Sequence, residues 1–372
     1  MKKLKLLFLP LIAAALLSSC SNSETNSDSG IPEVGTPAML RIELKSLIEN
    51  STRASGTPTR INESHIGLGT IMVFKAGAGN NILDGYATFD FTGGTTTVLV
   101  PITAGPRDIY VVANNTLSDF HSITQVSDLY NLTSKADLTS QNGSNLAMSG
   151  FTLGVNASNA TVSSPATASV NLNFVASRVS MDWDLSQLPP IMAGFEVTRA
   201  YLLNVKSESD WFSSASNVSL TQHVNSFFNG LGDTFTFSGS YLPVPPATNS
   251  FNSILNMTDV TTGKGFANNY FYVWENSSTF PTIVVIEGSL SGNTYYYPIV
   301  INGDLNGTGP GGSTNGGNKS STVTRGNIYN VRAIIKGFGA TDPYAPLSPA
   351  AIDVTITTAT WNPIVSIDQE FN

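Results

Sequence analysis

Residues 39–60 read MLRIELKSLIENSTRASGTPTR, and two kinds of chain meet inside them. In the first part Leu40, Ile42 and Leu44 alternate with Arg41, Glu43 and Lys45, the period-two signature of a strand with one buried and one wet face. The second part, residues 49–60, is rich in Ser, Thr, Gly and Pro and carries two arginines, Arg53 and Arg60. Such a segment does not pack, and it offers a protease an accessible peptide bond. A cut after Arg53, or after Arg60 in reserve, detaches a core strand from the rest of the chain. It leaves a sheet groove with unpaired backbone groups and open apolar pockets.

The residues ahead of this stretch explain why the chain is expected to be processed. Lys2, Lys3 and Lys5 precede an apolar run over residues 6–17, and Leu17-Ser18-Ser19-Cys20 closes it. Residues 1–20 therefore read as a lipoprotein signal peptide. The run is too short to stay in a bilayer, and the chain's single cysteine stands where such a precursor is cleaved and acylated. Cys20 is the expected lipidation site, carrying a thioether-linked anchor, and no disulfide can form within one chain. Residues 21–30, SNSETNSDSG, are a polar tether, so that 21–53 make up tether and removable leader strand.

The chain has 372 residues, of which 12% are charged. With abundant Thr, Ser, Asn and Gly, this suits an extracellular β-protein better than a helical cytosolic enzyme. The net charge of −8 supplies no basic field for phosphates, which argues against a nucleic-acid partner. Strand-like runs over 66–74, 86–91, 95–102 and 108–114 are separated by Gly or Asn-Asn turns, as in a meander or Greek key. Ile123, Val126, Leu129 and Tyr130 recur at helical spacing and predict a short helix within 123–135. Strand alternation resumes over 168–185, as one long strand or two consecutive ones.

Leu188-Pro189-Pro190 then interrupts any ladder, since neither proline donates, and marks the expected domain boundary. Runs over 195–205, 270–274, 282–287, 295–302, 328–336 and 351–361 repeat the same grammar beyond it. The expectation is an all-β protein with one or two short helices. It is organised as two tandem β-sandwich-like domains of Greek-key or transthyretin-like type, over 54–189 and 190–372.

Chemistry is sparse. His65, His121 and His223 stand far apart without acidic or cysteine neighbours at ligand spacing, so no metal and no cofactor is assigned. Gly307, Gly309 and Gly312 match a dinucleotide fingerprint literally, but Pro310 sits inside it and no helical pattern succeeds it. Asp182 and Asp184 flank Trp183 like a carboxylate pair. Two polar residues facing solvent beside a buried tryptophan is the better account, and no catalytic residue is assigned.

The C-terminus says more. After Trp361, the residues Val365, Ile367 and Phe371 alternate with Ser366, Asp368 and Glu370. Periodicity is equally compatible with an ordinary last strand of its own domain and with a free strand that completes another sheet. A removable strand at one end and a spare strand at the other make an acceptor and a donor, the two parts of β-strand addition. Because the two surfaces differ, the contact is heterologous and generates a filament.

At this point the chain resembles a fimbrillin, the FimA-type subunit of the type V pilus. The residues that carry the resemblance are Leu17 to Cys20, the lipobox, and Asn50-Ser51-Thr52-Arg53-Ala54, the processing site. Phe74-Lys75-Ala76-Gly77, AGPRDIYVVANN over 104–115, Met148-Ser149-Gly150 and Val175-Ala176-Ser177-Arg178-Val179 come next in the first half. Tyr272-Val273-Trp274-Glu275-Asn276, RGNIYNV over 325–331 and the closing segment over 354–361 stand in the second. The resemblance implies a palmitate-bearing outer-membrane lipoprotein precursor, cut by an arginine-specific protease and assembled by donor-strand exchange into an extracellular adhesive fimbrium. Its partners are copies of itself and other pilus subunits. Cys20 maps to the lipid site, Arg53 to the cleavage site, and the donor strand to the last residues from Trp361, including Val365, Ile367 and Phe371. A second arginine so close, Arg60, is unusual for the family. A cleavable leader together with a short tail points to a stalk subunit.

Two other readings compete with this one. A monomeric surface lipoprotein would bind glycan or a host ligand through exposed Trp211, Tyr295, Tyr296 and Tyr297, and a pilus tip adhesin would combine assembly with ligand binding. An enzyme is the weakest, because no group of titratable residues stands out as a site.

Overall fold

The computed structural model describes residues 35–46, 63, 65–77, 81–91, 97–114, 120–130, 136–143, 145–212, 226–232, 245, 249–260, 266, 269–276, 280–301, 323–345, 347–348 and 350–361. Strands dominate them, and the α-helix is the single short Val126–Tyr130. The principal strands are β1 (Pro37–Ser46), β2 (Leu68–Lys75), β3 (Leu83–Asp90), β4 (Thr97–Thr103), β5 (Gly105–Ala113), β6 (Met148–Ala157) and β7 (Ala166–Phe174) in the first half. Then come β8 (Ser177–Asp184), β9 (Glu196–Leu203), β10 (Tyr270–Val273), β11 (Ile283–Leu290), β12 (Asn293–Val300), β13 (Asn327–Ile335) and β14 (Ile352–Thr360).

Strands β1 to β7 form one sheet in the order β3-β2-β5-β6-β7-β1-β4. It folds over on itself. β6 and β7 pair only at Met148↔Phe174 and Ser149↔Asn173, so the leaves β3-β2-β5-β6 and β7-β1-β4 bend apart there and enclose a core between them. At the far side the two ends of the sheet meet: a Cβ on Gly85 of β3 would lie 2.6 Å from the Pro101 carbonyl of β4. Alternation drives this arrangement, with Val170, Leu172 and Phe174 turned inward from β7 and the residues between them exposed.

The second half holds two four-stranded sheets. One runs from 256–257 through β9 and β11 to β12, the other is β10-β8-β13-β14. Ile283 to Ile286 are buried on both faces of β11, which is why that run is continuously apolar. One face belongs to the main core, and the other packs a smaller cluster with Tyr201, Leu203 and Tyr344. β8 stands on the N-terminal side of Leu188-Pro189-Pro190, yet it pairs antiparallel with β10 and parallel with β13, strands from beyond that break. Further ties cross between the halves: 136–137 pairs with 208–209, and Trp211 and Phe212 pack edge-on against Phe120 and Tyr110.

Asparagine performs the same task at the end of a central strand in each half. Asn114, after β5, and Asn204, after β9, both hold φ at 57°, a left-handed conformation that asparagine tolerates. The Asn114 side chain accepts from the Gly67 amide at 2.8 Å and donates to the carbonyls of His65 and Leu146. Asn204 donates to the Pro281 carbonyl at 3.0 Å and accepts from the Tyr344 hydroxyl at 2.8 Å. Each replaces with side-chain bonds the ladder that ends there.

The helix and both halves of the strand pattern agree with the expectation, and 168–185 resolves into two consecutive strands, β7 and β8. β6 is not among the runs expected from the sequence, although Phe151, Leu153 and Val155 alternate with Thr152, Gly154 and Asn156; Phe151 and Leu153 are exposed. Of its two glycines one is required by a close approach: a Cβ on Gly150 would sit 2.1 Å from the Asn171 carbonyl oxygen of β7. Gly150→Ala is therefore expected to pry β6 from β7 and cost about 1–3 kcal/mol, as a lowered urea midpoint at unchanged slope.

Candidate assembly groove

β1 lies inside its sheet rather than at an edge. It runs antiparallel to β4, from Pro37↔Thr103 to Glu43↔Thr97, and parallel to β7, from Leu40↔Ala166 to Ser46↔Leu172. Both of its edges are therefore engaged. Ala38, Leu40, Ile42 and Leu44 point into the core and are at most 2% exposed, while Arg41 and Lys45 face solvent and Glu43 is half-buried. Burying each of the three large side chains is worth roughly 1.5–3 kcal/mol. The outer face adds little: Lys45 lies 3.6 Å from Glu43 with both side chains nearly half exposed.

Withdrawing this strand would bare the facing edges of β4 and β7 and a slot lined by Val100, Ile102, Val170 and Leu172. Arg41 is an exposed arginine, yet its peptide units are built into ladders with Leu99 on one side and Thr167 on the other. That pairing shields it from a protease, which needs an extended, unpaired segment.

Downstream of the 49–60 segment the chain is fixed by one buried carboxylate. Glu63 is 1% exposed and accepts two hydrogen bonds from Arg178 Nη1, at 2.9 and 2.8 Å, while the Tyr272 hydroxyl donates to the same carboxylate at 2.9 Å. Burial, and then the Glu63 charge, push the Tyr272 phenol far above its ordinary range, so it remains a proton donor. The Arg178 guanidinium in turn lies 5.4 Å from the Trp361 ring centroid, and Trp361 stacks on Tyr272 at 5.8 Å and on Phe174 at 4.3 Å. Trp361, from which the terminal strand is expected to start, is itself buried and donates its backbone N–H to the Gly326 carbonyl at 2.7 Å. Glu63, the first described residue after 49–60, and Trp361, the last described residue, thus share one cluster. The sequence alone does not single out Glu63 or pair it with Arg178.

Of the other sites expected from the sequence, Cys20, Arg53, Arg60, Val365, Ile367 and Phe371 lie outside the described residues, as do His223, Gly307, Gly309 and Gly312. His65 and His121 are exposed, and Asp182 and Asp184 are half-buried either side of the buried Trp183. The aromatic platform expected for a glycan-binding reading is corrected by the structure. Trp211 is buried against Phe120, and Tyr297 is fully buried with its hydroxyl donating to the Gly337 carbonyl. Only Tyr295 and Tyr296 of that set reach the surface, and each only partly. The reason is register: YYY falls where β12 passes from its wet end, Asn293, into the core at Tyr297.

Two family models divide the chain. The major fimbrial subunit protein (FimA) matches residues 38–182, and the C-terminal domain of the FimA-like major fimbrial subunit protein matches 196–361. Among solved structures, a putative cell adhesion protein from Bacteroides eggerthii is 25% identical, with a TM-score of 0.60 over 88% of this chain and 97% of that one. A fimbrilin from Porphyromonas gingivalis is 22% identical, with a TM-score of 0.62 over 88% of this chain and 98% of that one. The tip fimbrial protein Mfa3 from Porphyromonas gingivalis, with a C-terminal truncation, is 15% identical, with a TM-score of 0.51 over 87% of this chain and all of that one. No curated protein matches significantly. With both halves matched in order by models of one kind of subunit, and a fold shared with a fimbrilin, the chain belongs to the FimA-type fimbrillin family of fimbrial subunits.

Proposed function

We propose that this fimbrial subunit is a non-enzymatic stalk protein that polymerises by protease-triggered donor-strand exchange. The observation that carries the reading is the position of β1, a ten-residue strand that is internal to its sheet and connected to the strands after it only through the Arg-containing segment 49–60. The precursor is lipidated at Cys20 and held at the outer membrane. An arginine-specific protease cuts after Arg53, with Arg60 as the second site, and frees residues 21–53. The groove in the 54–189 half then takes the terminal strand of another copy or another pilus subunit, which offers Val365, Ile367 and, four residues on, Phe371 on one strand face, as β1 offers Leu40, Ile42 and Leu44. Trp361 is the root of that donor, fixed in its own subunit while residues 362–372 reach the next. Donor and acceptor differ, so each addition leaves a new donor and a new acceptor.

Size-exclusion chromatography and an unboiled denaturing gel, before and after an arginine-specific protease, test this reading alongside a chain truncated after Trp361. A ladder of oligomers is expected only after cleavage and only with the tail. A chain that is cut and stays monomeric with its tail intact overturns the proposal.

The shared cluster makes a separate expectation. Glu63→Gln removes the carboxylate charge that faces the buried Arg178, and breaking a buried pair in this way costs roughly 3–5 kcal/mol. Denaturant unfolding should show a loss of that size for E63Q and a much smaller one for E63Q paired with Arg178→Met, which removes the other charge of the pair.

A further inference from the structure

Among the described residues β4 has one ladder partner, β1. If the leader strand leaves, as the proposed function requires, this wall of the groove loses its whole hydrogen-bonded edge at once. A strand left so would swing into the empty slot, where the bared edge of β7 offers it a ladder. An acceptor that closed on itself in this way would take no donor.

The outer edge of β4 is held by something else. Backbone groups alternate in direction along a strand, and Ala104 bonds toward the leader: its amide donates to the Thr36 carbonyl at 2.7 Å and its carbonyl accepts from the Gly35 amide at 3.2 Å. Thr103 therefore points the opposite way. Its amide donates to Asp84 Oδ2 of β3 at 2.7 Å and its hydroxyl to Asp84 Oδ1 at 2.9 Å, while its carbonyl accepts from Arg107 Nη2 of β5 at 2.6 Å. Arg107 Nε also donates to Asp84 Oδ2 at 2.8 Å, and Nη1 donates to the Pro106 carbonyl at 2.7 Å. Both charged side chains are at most 6% exposed, and Lys75 Nζ approaches Asp84 Oδ1 at 3.9 Å from the solvent side.

The sequence makes this placement possible. Only Ala104 separates β4 from β5, and Gly105, at φ 135°, turns the corner in a conformation closed to other residues. The corner brings Arg107 back beside Thr103. Asp84 comes from β3, which has no ladder with β4, yet Gly85 next to it already backs onto Pro101 and Ile102.

We infer that Asp84 and Arg107 are positioning residues that clamp β4 at Thr103 while the groove beside it is vacant, and so keep the acceptor open for an incoming strand. The inference rests on the strand-exchange reading. In the precursor β1 pairs with β4 along its length and the clamp is one support among several. After cleavage it is, among the described residues, the polar tie that remains at Thr103. A polar network that costs desolvation energy at a strand edge is explained by this conditional duty better than by static stability, since an apolar pair would serve the latter as well.

The test compares the full wild-type chain with Asp84→Leu/Arg107→Met, a double substitution that leaves no buried charge unpaired. Urea unfolding of the uncut chains checks that both fold. After cleavage by an arginine-specific protease and removal of the leader fragment, amide exchange over residues 97–103 and capture of a synthetic peptide of residues 361–372 are measured. A Thr103 amide that exchanges slowly in the wild type and fast in the variant, and about tenfold weaker peptide capture, are expected, as for an acceptor whose open fraction has fallen tenfold. Equal exchange or equal capture in the two cleaved chains overturns the clamp. Failure of the cleaved wild type to capture the peptide overturns strand exchange instead, and the exchange data then decide independently whether β4 is clamped. Should the double variant not fold, Thr103→Val, which removes only the hydroxyl anchor, must show the same differences in smaller measure, and wild-type behaviour on its part overturns the clamp.

Discussion

The structure depends on a strand that is interior to its sheet and yet comes from the start of the chain. β1 supplies the middle of the β7-β1-β4 leaf, so the leaf has no independent existence without an occupant in that slot. An edge strand could be lost with one ladder. An interior strand cannot, because both neighbours lose a partner and the apolar floor beneath it is opened as well. Leu40, Ile42 and Leu44 are thus a requirement placed on whatever fills the slot: extended backbone, apolar side chains every second residue, and tolerance of water on the opposite face.

The second constraint ties the ends of the body together. Glu63, Arg178, Tyr272 and Trp361 come from the residues after 49–60, from β8, from β10 and from the position just after β14. β8 is central to this, since it comes after the first seven strands in sequence and is laddered to strands of the second half in space. A buried carboxylate that meets an arginine and a tyrosine hydroxyl is satisfied only in one arrangement of those three elements. Lengthening or cutting residues 49–60 leaves Glu63 where it is, and Trp361 keeps the origin of the tail fixed however the residues beyond it are placed.

How much of this is legible in the sequence depends on whether a feature is local. The alternation of β1, the apolar run of β11 and the helical spacing about Val126 are properties of neighbouring residues, and the structure agrees with them. The break at Leu188-Pro189-Pro190 is visible for the same reason. The pairing of strands is not. The sequence leaves β7 and β8 as one long strand or two consecutive ones, and only the fold shows that β8 turns to β10 and β13. Glu63 sits among Ile, Asn, Ser and His with nothing to mark it, because its meaning comes from an arginine far along the chain. The tyrosines of β12 read as a surface platform, but their faces are fixed by cross-strand partners, and Tyr297 falls inward. β6 is missed because its alternating apolar residues, Phe151 and Leu153, lie on the exposed face, while its buried end is Met148-Ser149-Gly150, which has no apolar period.

On the strand-exchange proposal, the same geometry explains why the trigger would be covalent. While residues 47–62 connect the leader to the body, withdrawal and return of β1 are intramolecular, and a covalent connection of that length holds a strand at an effective concentration in the millimolar range. A donor from another molecule, present at far lower concentration, competes against an occupant that never diffuses away. Making the incoming strand more apolar would not overcome this handicap without also making the free tail prone to aggregate. Cutting the tether changes no contact of β1, whose side chains and two ladders remain as they were. It changes only the outcome of a spontaneous opening: the leader dissociates instead of returning, and the slot is contested by whichever strand is tethered nearest. A donor rooted at a buried Trp361 in an adjoining subunit then holds the advantage that the leader has lost.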